Sequence, residues 1–154
     1  MWQLKLIDDG RLWMYTKDGN DAARAIFDRH YSRIFYKDGR SPKLFVGPGE
    51  KIVLVLPDYS ALFVWKKFIE SGEIKPKGIN CSVFRNESNF LSSNLILEAE
   101  EIAWERWPNE RLYTYVNGNK IQSVNPGYCF KMAGWNKCGV SKGGLVILEK
   151  VAED

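Results

Sequence analysis

The chain has 154 residues, enough for one domain with a core of its own. Its composition, 45% hydrophobic and 27% charged, excludes a disordered chain, and no apolar run approaches the roughly 18 residues that would cross a bilayer. The formal charge of +3 permits a polyanionic partner without requiring one, so no membrane partner is expected and DNA stays open.

The first segment, Trp2 to Lys17, carries Leu4, Leu6, Leu12 and Met14 at alternating positions around Asp9-Gly10, a hairpin pattern. Asp18-Gly19-Asn20-Asp21 ends it and can cap a helix, which Ala22, Ala23, Ile26 and Phe27 extend to about His30. The polar stretch Ser32 to Lys43 reads as a loop, and Gly47-Pro48-Gly49 as a turn. Ile52–Leu56 and Ala61–Trp65 read as buried strands joined by the turn Pro57-Asp58-Tyr59-Ser60. Ile79–Arg85 is a further strand. Leu91 to Trp107 is the clearest helix: Leu95, Ala99, Ile102 and Ala103 form an apolar stripe, and Glu98, Glu101 and Glu105 face elsewhere. Ser92, Ser93 and Asn94 are its candidate caps, and Pro108 stops it. Arg111–Val116 is a strand, Asn125-Pro126-Gly127 opens a short helix to about Ala133, and Leu145–Leu148 closes the chain as a strand. This order predicts a single α/β layered (α+β) domain over residues 1–154, with a mixed central sheet flanked by helices. The strands on either side of the Leu91 helix should be parallel neighbours.

Three cysteines, Cys81, Cys129 and Cys138, are an odd number without CxxC spacing. They argue against a disulfide framework or a zinc knuckle, and with no signal-peptide pattern the expected location is the cytoplasm. No Walker A loop, dinucleotide fingerprint or HExxH appears, so no metal is expected.

Three stretches could carry chemistry. At Val83-Phe84-Arg85-Asn86-Glu87-Ser88, leading into Ser92-Ser93-Asn94, free N–H groups at a helix start and the Arg85 guanidinium could hold an anion; the same serines could merely cap the helix. In Asn125–Trp135, Tyr128 and Cys129 can titrate, while Tyr128, Phe130 and Trp135 could equally be core rings and Cys129 a small buried hydrophobe. Around the single histidine, His30, stand Arg29, Tyr31, Ser32 and Arg33, at the edge of a basic run that reaches Arg40 and Lys43; this is either a phosphate-binding face with a general base or a solvated one.

From Ile79 to Lys150 the chain resembles the C-terminal half of the GNAT N-acyltransferase superfamily. Ile79–Arg85 with the following helix is similar to the family's splayed strand and cofactor-binding helix start, and Asn125…Phe130-Lys131-Met132-Ala133-Gly134-Trp135 to its next helix. The string Phe84-Arg85-Asn86-Glu87, the Leu91-Ser92-Ser93 helix start, Trp107-Pro108 and Asn125-Pro126-Gly127-Tyr128 resemble a phage and prophage branch, with the Mom-type DNA-modifying proteins as relatives. Two positions depart from the family pattern. Its Gly-rich pyrophosphate loop is replaced by Arg85-Asn86-Glu87-Ser88, and Phe130 stands where many members have a general-acid Tyr.

The resemblance implies an acyltransferase using acetyl-CoA or a related acyl-CoA. Val83, Phe84, Arg85, Asn86, Ser92, Ser93 and Asn125 would hold the cofactor, with His30, Tyr31 and Tyr128 as catalytic groups. Arg29, Ser32, Arg33 and Arg40 would meet a substrate that could be DNA or a nucleobase. A Mom-like adenine modifier and a non-catalytic GNAT-fold binding protein are the alternatives.

Overall fold

A computed structural model of the protein describes residues 11–29, 44–47, 49–68, 78–117 and 127–152. Its elements in chain order are β1 (Met14–Thr16), α1 (Asp21–Asp28), β2 (Glu50–Val55), β3 (Ala61–Lys67), β4 (Ile79–Asn86), α2 (Ser92–Arg106), β5 (Leu112–Val116), α3 (Tyr128–Met132), β6 (Asn136–Val140) and β7 (Val146–Lys150). The strands form one seven-stranded sheet in the order β1-β2-β3-β4-β5-β7-β6. All neighbours are antiparallel except β4 and β5, the pair joined through α2. The predicted α/β layered fold and the parallel pair are therefore present.

Strands β2 and β3 are buried on both faces. On one side Leu95, Ile96, Ala99, Ile102 and Ala103 of α2 pack with Phe63, Trp65, Cys81, Leu112 and Leu148, joined by Phe130 and Trp135. On the other, Ala23 and Ile26, three apart on α1, cover Val53, Val55, Leu62, Val64 and Val83. This two-sided cover is why β2 and β3 read as unbroken apolar runs rather than as alternating ones. Buried tryptophans also fix α2 in register: the indole N–H of Trp13 donates to Leu95 O and that of Trp65 to Ala99 O, both at 2.9 Å.

Several expectations are corrected. β6 was not predicted, because its residues are mostly exposed on the sheet edge and include Gly139, which leaves no apolar alternation. Residue Leu91 is the N-cap of α2 and makes no side-chain cap bond; Ser92 and Ser93 lie inside the helix, and the Ser92 hydroxyl accepts from Asn86 instead. Glu98 lies off the apolar stripe, as expected, and is partly buried. Its carboxylate accepts the backbone N–H groups of Leu12 and Trp13 at 2.9 Å, so the segment before β1 is tied to α2. The predicted hairpin tip at Asp9-Gly10 and the loop Ser32–Lys43 lie outside the described residues.

Asp18 clamps the turn before α1 to the segment before β2. Its carboxylate accepts from the N–H groups of Phe45 (2.7 Å), Val46 (3.0 Å) and Gly47 (3.0 Å), with Lys51 at 3.4 Å. Burial alone would raise its pKa, but the three N–H groups and the ammonium outweigh burial and leave it below the ordinary value. A carboxyl lowered on folding stabilises the protein above its unfolded pKa, and that contribution is lost as pH falls through the folded one. Asp18→Asn should therefore cost about 1–3 kcal/mol at neutral pH. It should also flatten the loss of stability below roughly pH 4, measured by urea unfolding across pH.

Candidate functional site at the parting of two parallel strands

The one parallel pair among the described strands is short. β4 and β5 are paired at Ile79–Leu112, Asn80–Tyr113 and Cys81–Thr114, and there the pairing ends. Beyond that point β4 stays paired with β3 as far as Asn86, and β5 stays paired with β7 as far as Val116. Each strand keeps its outer neighbour, so the two halves of the sheet part between them. The β4 backbone groups from Ser82 onward that face this gap have no β5 partner.

The parting coincides with a β-bulge. Trp65 opposes Cys81 and Val64 opposes Val83, so Ser82 is an extra residue in β4. The bulge changes which side chains face which layer. Cys81 lies in the α2-side core, yet Val83, two residues on, lies in the α1-side core, and Phe84 packs back against the α2-side core. Phe84 meets Phe130 of α3 edge-on at 5.9 Å between ring centroids, and Phe130 meets Trp135 at 4.8 Å. The gap thus has an aromatic floor on the α2 side. α3 reaches it through a tight entry: Gly127 has φ 77°, and a Cβ there would sit 2.5 Å from Leu148 Cδ1.

At the open end of β4 the chain turns into α2 around Asn86. The Asn86 amide donates to Phe90 O (2.8 Å) and Ser92 Oγ (2.9 Å), and its carbonyl oxygen accepts from Ser88 N (2.9 Å) and the Ser88 hydroxyl. The polar side chains singled out in the sequence therefore shape this turn, and the first-turn N–H groups of α2 have no side-chain cap from Leu91. Arg85 is engaged as well. Its Nε donates to Glu87 at 2.6 Å and its Nη1 to the carbonyl oxygen of Arg29 at 2.8 Å. Arg29 in turn donates to both Glu87 oxygens at 2.7 Å. The Arg29 guanidinium foremost, then that of Arg85, hold the Glu87 carboxyl down at about 2. This triad ties the end of α1 to the β4–α2 turn.

Val83, Phe84, Arg85, Asn86, Ser92, Ser93 and Arg29 are thus gathered along β4 and its turn, on one side of the gap. Tyr128 opens α3 and is 55% exposed, so it is not one of the core rings, whereas Phe130 and Trp135 are. Cys129 is partly buried and burial raises its thiol pKa, as it does for Cys81; neither is set up as a nucleophile. His30, Tyr31, Ser32, Arg33, Arg40 and Asn125 lie outside the described residues.

Sequence reading missed Asn80, Ser82 and Tyr113, which flank the root of the gap. In β4 the polar Asn80 and Ser82 alternate with Ile79, Cys81 and Val83, a pattern that reads as a solvent-facing row; instead Asn80 and Tyr113 are buried. Among the described residues no group of three or more His, Cys, Asp or Glu is placed to hold a metal ion, and no helix is long and apolar enough to cross a membrane. Comparison of the chain with protein-family models, curated proteins and solved structures gives no match.

Proposed function

We propose that the protein is an acyl-CoA-dependent N-acyltransferase of the GNAT type. The observation that carries this reading is the parting of β4 from β5 at Cys81–Thr114. It leaves a slot between two strands, with unladdered β4 backbone along one wall and an uncapped helix start at its end. An extended donor with an anionic head and an amide-bearing arm fits those features. The amides could bond to the exposed strand edge, and the pyrophosphate could face the first-turn N–H groups of α2. Because Arg85 and Arg29 already share Glu87, the phosphate charge would be met mainly by backbone N–H groups and the helix dipole, which accounts for the departure from a Gly-rich loop.

The thioester supplies an activated carbonyl. In this reading β4 N–H groups beyond Cys81 donate to its oxygen as negative charge develops there. The amine forms the new C–N bond as the C–S bond breaks, and the amine proton is balanced by the one the leaving thiolate gains. Tyr128, exposed at the first turn of α3, is the proton donor to sulfur. His30 keeps the role of base implied by the resemblance.

Acetyl-CoA at about 100 times its Kd should stabilise the protein by roughly 2.7 kcal/mol in a thermal melt. Tyr128→Phe should fold and bind acetyl-CoA as wild type does. It should lower thiol release with an accepted amine by roughly 10²-fold. A melt unmoved by millimolar acetyl-CoA would remove acyl-CoA from the reading, and full turnover in the Tyr128 variant would remove that residue. The nucleobase-modifying alternative draws on the basic segment Arg24–Lys43, of which Arg24 and Arg29 are described; Arg24 lies 3.8 Å from Asp28 and Arg29 is bound to Glu87.

A further inference from the structure

Where the end of α1 meets the β4–α2 turn, two guanidiniums converge on one carboxylate. Arg29 donates to Glu87 Oε2 through Nε and to Oε1 through Nη2, both at 2.7 Å. Arg85 donates to the same Oε2 through Nε at 2.6 Å. One oxygen therefore takes two of these three bonds, because a carboxylate has only two oxygens to offer. All three side chains reach solvent: Arg29 and Glu87 are exposed and Arg85 is partly buried.

The contacts that bring the two arginines together do not involve the Glu87 side chain. Arg29 is the C-cap of α1, and its backbone N–H donates to Ile26 O at 3.1 Å. Arg85 stands on β4 opposite Leu62, and its Nη1 donates to Arg29 O at 2.8 Å. The Glu87 backbone is also held without its carboxylate, since its N–H donates to Ser60 O at 2.7 Å. The side chain is thus free to swing into solvent while the turn and both arginines stay in place. Asp28, the other acid beside Arg29, lies 3.8 Å from Arg24 Nε and balances that residue. With Glu87 turned away, two positive groups would be left side by side and would call for an anion. Protonation does not turn it away at neutral pH, because the two guanidiniums hold its pKa at about 2. The carboxylate leaves only in exchange for another anion.

We propose that Arg29 and Arg85 form a binding site for a phosphate-monoester dianion, and that the Glu87 carboxylate fills it at rest as an internal competitor. A phosphate monoester has one more acceptor oxygen than a carboxylate, so the two Nε–H donors that now share Oε2 would each gain an oxygen of their own. Its second charge also favours it over a carboxylate beside two guanidiniums. The site stands on the side chains of α1, β4 and the turn. It does not depend on acyl-CoA use, for which the proposed pyrophosphate position is the backbone N–H groups of α2.

The test is an NMR titration of the full chain with inorganic phosphate at constant ionic strength, following the Nε–H signals of Arg29 and Arg85, with acetate in parallel as a monoanion. Phosphate should shift both signals saturably. Glu87→Gln should bind it about tenfold more tightly or better, because the competitor and its charge are both gone. Glu87→Ala should show the same gain, and adding Arg29→Ala to Glu87→Gln should cancel it. Acetate should bind Glu87→Gln more weakly than phosphate does. If the two Glu87 variants bind phosphate no more tightly than wild type, the carboxylate is a structural partner only and the proposal falls. It falls equally if neither arginine signal shifts saturably, or if acetate binds as well as phosphate. Loss of the fold in both Glu87 variants would overturn it too, since the turn would then depend on the carboxylate. Phosphate bound at the two arginines beside an acetyl-CoA-inert melt would retain this site and discard the acyltransferase reading.

Discussion

Glu100→Ala should destabilise the protein by roughly 3–5 kcal/mol, among the largest losses available to a single substitution in this fold. Glu100 sits within the run of glutamates on α2, yet it is 2% exposed. Its carboxylate accepts from the Trp135 indole at 2.8 Å and from Lys150 Nζ at 2.7 Å, and Lys150 also donates to Ala133 O at 2.8 Å. One carboxylate therefore joins α2, the end of α3 and β7. Removing it strands a largely buried ammonium and a buried indole N–H, and each then carries an uncompensated cost. Glu100→Gln keeps an acceptor for Trp135 and should lose less. The pH response runs opposite to that of Asp18. Burial, the largest influence, raises the Glu100 pKa despite its two partners. A carboxyl raised on folding binds its proton more readily in the native state, so its own contribution to stability grows as pH falls from neutral through the folded pKa toward the ordinary value. Chemical denaturation of wild type and both variants from neutral pH into the acid range reads both effects. A loss under 1 kcal/mol for Glu100→Ala would show that the three elements do not depend on this carboxylate.

Gly78→Ala should cost about 2–6 kcal/mol, from two sources that add. Gly78 has φ 126°, a backbone region that residues with a Cβ rarely enter, and holding alanine there costs on the order of 1–3 kcal/mol. A Cβ would also lie 2.3 Å from the carbonyl oxygen of Arg111, and relieving that contact with rigid backbone adds about 1–3 kcal/mol. The same carbonyl accepts the N–H of Ile79 at 2.7 Å, so Gly78 lets β4 approach β5 at the base of their short paired stretch. Unlike the loss at Glu100, this one strikes where the parting of the strands is set. Thermal melts should show the lost stability, and the Ile79 and Asn80 amides should lose protection from hydrogen exchange before those of β2 and β3. Protection unchanged at Ile79 would mean that the close approach is not what holds the pair.

Much of the architecture was legible because buried strands and a one-faced helix leave strong periodic signals. Ile52–Leu56, Ala61–Trp65 and the stripe from Leu95 to Ala103 needed only burial to be read. The connection rule then fixed β4 and β5 as parallel neighbours. Three things did not show. β6 has no apolar side to betray it, since an edge strand with its residues largely in solvent reads as loop. The bulge at Ser82 depends on how β4 meets β3, and a strand's own residues do not record which partner it slips against. Glu100 has the same residue type and helical setting as Glu101 and Glu105, and only Trp135 and Lys150, 35 and 50 residues away, distinguish it. At the candidate site the polar residues of the β4–α2 turn were found, but as binding groups; their bonds to one another came from geometry that residue type alone does not carry.

The place of β7 has a consequence for how the sheet is assembled. β7 lies between β5 and β6, although it follows both in the chain. β6 meets the rest of the sheet only through its hairpin partner β7, and β5 keeps a raw edge until residues 146–150 pair with it. Strands β1 to β4 are paired in chain order, whereas beyond β5 the sheet is extended by the β6–β7 hairpin, which meets β5 through β7. Such an order makes the β5 edge an aggregation-exposed surface during synthesis, when the first half is already compact. Pairing of β7 with β5 also seats Lys150 against Glu100, which couples this half of the sheet to α2.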